Sequence, residues 1–411
     1  MGKVMRVRRS LAHLGKGRLA LAILLAAAPA FAQDGDGMEE FEEVDPYTKG
    51  DPELMQRLGY LSYGPFQWRK GDTTTDVQMN MGGIPMLWVE TEHFRIGSSL
   101  TTYKYSGDRE EKERLKDELG RLKKRLGKLK APKRELDPWL RLHLFAQRAE
   151  EAYATFVEDF GLEPADFVDE GPHLGHEHKF LILLCQRKSE YSRHMRTYLD
   201  VDSETSYRWY WTDAGMGYAV NHEGNKERWS DPDGVPFDTI LYCQMVSNLA
   251  SMFVDGYRRS YYGAPYWFSR AIGHYTVRRI DPRWVTAVGY QQGQNSREED
   301  YKWEGRLMNL VKNDFYAATA DMFTWAKYQD MNVRDHMVCW SRLEYLMDEA
   351  DGDPKGFLTD LCKPRPRGSD EEVQAAMVER QTQALATHFG LTPEELDERW
   401  AKWVKKAYKK R

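Results

Sequence analysis

From Phe237 to Tyr275 the chain reads FDTILYCQMVSNLASMFVDGYRRSYYGAPYWFSRAIGHY. Apolar residues recur there with helical spacing, a short polar loop follows, and Pro265 opens a second helix. The pattern predicts helices over 237–256 and 265–279. Phe237, Leu241, Gln244, Asn248 and Met252 share one stripe of the first helix. Two polar amides therefore sit on a face that otherwise reads as buried. Buried amides of this kind are ordinarily satisfied by hydrogen bonds.

The same stretch resembles the core of gluzincin-type metallopeptidases, in particular the exported peptidase MA-like group. That group carries H-E-x-x-H on the first helix and P-x-W-[LF]-x-E-G on the second. The first motif falls here on Gln244, Met245, Val246, Ser247 and Asn248. The second falls on Pro265, Trp267, Phe268, Ser269 and Arg270, with Gly273 and Tyr275 near the downstream small and aromatic positions. The resemblance spans roughly residues 85–408 and implies an α+β fold: a small mixed sheet with helices, then a mainly helical half.

The resemblance also implies zinc, yet the chemistry at those positions argues against it. Two imidazoles at i and i+4 bind Zn²⁺, and a glutamate between them serves as base. The amides of Gln244 and Asn248 are hard neutral donors, and Met245 carries no proton. Arg270 puts a fixed positive charge where the group uses a carboxylate. The expectation is thus a metallopeptidase-like chain without catalysis or cofactor. Its candidate binding residues are Gln244, Asn248, Arg270 and His274; Arg270 and His274 share a face at i, i+4. A peptide or a cell-envelope component is the expected partner.

Residues 1–32 read as an export signal. Lys3, Arg6, Arg8, Arg9, Lys16 and Arg18 precede an apolar run from Leu19 to Ala28, and Ala30-Phe31-Ala32 resembles a cleavage site. A periplasmic or extracellular location is expected, with no transmembrane segment after cleavage. The formal charge of −5 becomes more negative once those six basic residues are removed. Such a balance argues against general nucleic-acid binding. Cys185, Cys243, Cys339 and Cys362 permit two disulfides or buried thiols, and no CxxC occurs.

Residues 33–84 read as a disordered or irregular leader, acidic at first and rich in Gly, Thr and aromatics later. An α+β subdomain is expected over 85–235 and a helical one over 236–408. MLWVETEHFRIGSS alternates like a strand pair, and its W-x-E-[ST]-x-H-F phrase resembles the opening strand of the peptidase MA-like group. In that resemblance His93 packs structurally. Leu115, Leu119, Leu122, Leu126 and Leu129 form a seam on a charged helix, predicting a helical hairpin over 109–160. The basic half of that helix, Arg121–Arg134, reads as a solvated face.

Two rival readings remain. In one, the chain is an active hydrolase with a non-standard site: His173, His176 and His178 of HLGHEH as metal ligands, or His222-Glu223 with His274. In the other, it is an envelope scaffold using the leucine seam to associate. Thr392-Pro393-Glu394-Glu395 predicts a helix start.

Overall fold

The computed structural model describes residues 41–130, 132–168, 171–229, 234–284 and 302–410. Its first elements lie in the stretch expected to be irregular. They are α1 (Pro52–Leu58), β1 (Tyr60–Ser62), β2 (Gln67–Arg69), β3 (Asp72–Thr73) and α2 (Thr74–Asn80). The expectation fails because short elements here rest on caps, not on periodicity. Asp51 caps α1 ahead of Pro52, and Thr73 with Asp76 closes a capping box on α2.

The strand pair of the sequence is β4 (Leu87–Thr91) and β5 (Phe94–Ser98). Next come β6 (Tyr103–Lys104), α3 (Arg109–Leu126), β7 (Glu135–Leu136) and α4 (Pro138–Asp159). The rest of the first half is β8 (Phe180–Cys185), α5 (Lys188–Leu199), β9 (Ser206–Trp211), β10 (Gly215–Asn221) and α6 (His222–Trp229). One sheet runs β1-β4-β5-β8-β10-β9. Within it β8 pairs parallel with β5 and β10, and the other pairs are antiparallel. The fold is α+β with a mixed sheet.

β8 shows why its sequence, FLILLC, lacks alternation: both faces of a central strand are covered. Phe180, Ile182 and Leu184 join the main core, while Leu181, Leu183 and Cys185 join a second cluster with Trp68, Trp88, Tyr191 and Trp209. Gly97 on β5 makes room for this second layer. A Cβ there would meet the Trp88 ring at 2.3 Å.

The leucine seam packs inside the molecule. Leu115, Leu119, Leu122, Leu126 and Leu129 are each no more than 5% exposed within the main core. α3 lies on α4 and α1, so the seam is not available to bring copies together. This corrects the expectation that the seam is the surface of association.

The second half is helical, as expected: α7 (Phe237–Gly256), α8 (Tyr266–Arg278), α9 (Trp303–Lys312), α10 (Thr319–Met322), α11 (Val333–Asp348), α12 (Pro354–Leu361), α13 (Asp370–Phe389) and α14 (Pro393–Ala407). Thr392 caps α14, its Oγ1 accepting from the Glu395 N–H at 3.2 Å while Glu395 accepts from the Thr392 N–H at 2.9 Å. No helix among the described residues is long and apolar enough to cross a membrane.

A buried charge network ties the two halves together. Asp238, in the first turn of α7, accepts from Arg148 at 2.8 Å and Arg141 at 3.2 Å, both on α4. Arg148 also donates to Glu118 of α3 at 2.7 Å. A carboxylate at a helix N-terminus is further favoured by the helix dipole. α7 is thereby held at its start by charge and along its length by apolar packing.

Candidate functional site

α7 and α8 cross through small residues. A Cβ at Gly273 would lie 2.8 Å from Ser247 Oγ, and Ser251 Oγ donates to the Ser269 carbonyl at 2.9 Å. This close approach is what the missing side chain of Gly273 permits. It leaves one line of α7 polar: Gln244, Asn248, Ser251 and Asp255, spaced i, i+4, i+7 and i+11.

At the N-terminal end of that line the amides serve the protein itself. Gln244 Nε2 donates to Asn225 Oδ1 of α6 at 3.0 Å. Asn248 Nδ2 donates to the carbonyl of Gln244 at 2.7 Å. Met245 is fully buried in the main core. These donors do not fit zinc. Gln244 commits its Nε2 to Asn225 and leaves a single neutral amide oxygen buried without a partner, and no imidazole, thiolate or carboxylate stands at the motif positions. Among the described residues, no group of three or more His, Cys, Asp or Glu is placed to hold a metal ion.

Charge gathers at the other end. Asp255 is 2% exposed, and Arg208 of β9 reaches it at 3.3 Å. Burial raises the Asp255 pKa above 3.8, against the pull of Arg208 and Arg270. Arg270 stands over the Tyr266 ring at 4.9 Å. Its Nε is enclosed without a hydrogen-bond partner, and none of its nitrogens forms an ion pair among the described residues. Two guanidiniums thus act on one carboxylate, and only Arg208 bonds to it. Tyr262 beside them is 44% exposed and Tyr207 of β9 is 37% exposed. β9 ends the sheet, so among the described residues one side of its backbone has no neighbouring strand.

The sequence did not point to Arg208, Asp255 or Asn225. Extending the α7 stripe by one turn would have reached Asp255. Arg208 could have been suspected from the alternation of SYRWYW, in which Trp209 faces the second cluster and Arg208 the helix.

The other candidates lie apart. His274 is 4% exposed and points inside. Its Nε2 is 3.0 Å from His336 Nδ1 of α11, and its ring meets Trp303 edge-on at 5.0 Å. Burial, with His336 and Arg270 nearby, holds its pKa well below 6.5. It belongs to the α8–α11 core and does not join Arg208 and Asp255.

His222 contacts Gln186 and Phe237, and Glu223 accepts from the Lys188 N–H. This pair is not joined to His274. His173 and His176 bond to each other through their backbones across a tight turn. Their rings diverge, His173 toward His93 at 5.8 Å and His176 toward Tyr261 at 5.3 Å. Burial lowers their pKa values to about 3 and about 4. His178 is half-buried near Gly215. The three imidazoles do not converge. His93 stacks on Tyr153 at 3.7 Å and pairs with Glu150 at 2.7 Å.

Fold and site together define an α+β chain in which Arg208 of the edge strand and Arg270 of α8 stand by the buried Asp255 of α7. Comparison with family models, curated proteins and solved structures finds no match to this chain.

Proposed function

We propose that the chain is an exported, metallopeptidase-like protein without hydrolytic activity, which binds a peptide or cell-envelope ligand bearing a carboxylate. The ligand lies along β9 and places its carboxylate on the Arg270 guanidinium. One observation carries this reading: Arg270 is without an ion pair among the described residues, beside a carboxylate that Arg208 already occupies. A guanidinium fork matches a carboxylate bidentately. The open edge of β9 suits an extended chain, which pairs through its backbone. The exposed rings of Tyr207 and Tyr262 offer such a ligand apolar contact with a polar tip.

The test uses the full chain, immobilised, and a mixed tetrapeptide pool with free C-terminal carboxylates. The same pool with C-terminal amides is the control. The carboxylate pool should be retained preferentially, and Arg270→Gln should reduce that retention about tenfold or more, the scale of a charge-assisted hydrogen bond. Equal retention of both pools refutes the reading. So does peptide cleavage that a chelator abolishes.

A further inference from the structure

The loop that joins α7 to α8 carries four non-glycine residues with positive φ: Arg258 at 53°, Arg259 at 56°, Tyr261 at 43° and Tyr262 at 64°. A left-handed backbone crowds the Cβ of every L residue, and bulky side chains adopt it least. Such strain persists only where other contacts hold the residue in place.

Three of the four side chains supply those contacts. Arg258 Nη1 donates to the Asp166 carbonyl at 2.8 Å, and Arg259 Nε donates to the Gly175 carbonyl at 3.0 Å. The Tyr261 ring lies 4.4 Å from that of Tyr210 and 5.3 Å from the His176 imidazole. The backbone is tied as well: the Arg258 N–H donates to the Leu174 carbonyl and the Tyr261 N–H to that of Asp255.

Tyr262 is different. Its side chain makes no hydrogen bond or ring contact among the described residues, and it is 44% exposed. Asparagine or glycine adopts the same backbone with less strain. The glycine of this loop, Gly263, serves packing instead: a Cβ there would lie 2.7 Å from the Ser260 carbonyl and 2.9 Å from that of Lys363. An exposed ring on a strained backbone contributes little to the fold. Its position gives it another use. Arg208 senses Asp255 and Arg270 and also the hydroxyls of Tyr262 and Tyr266, so Tyr262 stands beside the two guanidiniums.

We propose that Tyr262 selects the last side chain of a peptide ligand, and that this side chain is aromatic. The inference rests on the carboxylate reading of Arg270: the C-terminal carboxylate lies on Arg270, and the ring of the same residue packs on Tyr262. Aromatic pairs gain beyond the area they bury. A cationic side chain, which a tyrosine ring alone could also accept, is repelled by Arg208 and Arg270.

The probes are Ala-Ala-Ala-Phe and Ala-Ala-Ala-Ala, each as free acid and as C-terminal amide, titrated into the full chain. The Phe acid should bind about tenfold more tightly than the Ala acid. Tyr262→Asn should abolish that difference and leave the unfolding temperature at or above that of the parent, because asparagine tolerates the left-handed backbone. Tyr261→Asn should lower the unfolding temperature, because the Tyr261 ring is packed. Equal binding of the two acids, both tighter than their amides, removes the aromatic preference and leaves the Arg270 site standing. Acids that bind no more tightly than amides remove both. A Phe preference that survives Tyr262→Asn overturns the role of Tyr262. So does a loss of stability in that variant as large as in Tyr261→Asn, which makes the ring structural.

Discussion

Arg148 on α4 and Asp238 on α7 meet at 2.8 Å with side chains 0% and 1% exposed. Arg141 shares the same carboxylate at 3.2 Å. Removing one partner of such a cluster strands the others in a low dielectric.

Asp238→Ala should therefore cost about 3–5 kcal/mol, read from urea unfolding midpoints. The pH dependence follows from the same contacts. Burial pushes the Asp238 carboxyl up, but Arg148 and Arg141 outweigh it, so its pKa lies below 3.8. A group lowered on folding stabilises fully above its unfolded value and loses that contribution as pH falls through the folded one. The Asp238 contribution should persist at pH 5 and fade only below about 3.8.

The crossing of α7 and α8 makes Gly273 a packing position. A Cβ there would approach Ser247 Oγ to 2.8 Å and the Ser247 carbonyl to 3.2 Å. Alanine gains ~1 kcal/mol in helix propensity over glycine. Overpacking a tight contact costs ~1–3 kcal/mol. Gly273→Ala should destabilise on balance, and Ser247→Gly in the same chain should recover part of the loss. A stabilised Gly273→Ala variant in thermal melts refutes the close contact.

What the sequence made legible was local. The FLILLC strand, the α7 and α8 spans and the Thr392 cap depend on residues within a few positions of one another. The segment from Asp51 to Asn80 was missed because its elements are two to seven residues long. Periodicity has no room to show there. At the candidate site Gln244, Asn248 and Arg270 were legible as positions, but their partners were not. Gln244 bonds to a residue 19 positions away, Arg208 to one 47 away and His143 to one 98 away. Such pairs exist only once the chain has folded. The seam on α3 was legible as apolar and as one side of a helical hairpin, and α4 packs on it.

Acid should weaken this fold well above the range in which its carboxylates titrate. Burial lowers His194 to about 3, and Arg69 nearby adds to the effect. Burial lowers His176 to about 4, helped by Arg259 and His178. Between 6.5 and these values the unfolded chain binds protons that the folded chain refuses. Stability then falls with pH by up to ~1.4 kcal/mol per pH unit for each imidazole. His194→Phe should flatten the slope between pH 6 and 4, by about one proton's worth. An unchanged slope in that variant shows that His194 titrates normally.

Cys185, Cys243, Cys339 and Cys362 are all buried and free. Burial holds each thiol above its ordinary pKa of 9.0. Thiolate is the reactive form, so these groups should be inert in the native state. A thiol reagent should titrate none of them before unfolding and all four after it. Reductant should leave the melting temperature unchanged. Fewer than four thiols in the unfolded, unreduced chain means that a disulfide has formed.

Arg208 and Arg270 carry the same charge beside the same carboxylate, yet they should differ in what their loss costs. Arg208 supplies the hydrogen bond to Asp255 at 3.3 Å, and Asp255 is 2% exposed. Arg208→Gln leaves a buried carboxylate without its partner, at a cost of about 3 kcal/mol. Arg270 makes no such bond, and its loss removes a second cation that the pair does not require. Arg270→Gln should therefore change stability by less than ~1 kcal/mol. The comparison of urea midpoints separates a guanidinium that holds the protein together from one left over for a ligand. Equal destabilisation by the two variants makes Arg270 structural and removes the basis for a carboxylate-binding groove.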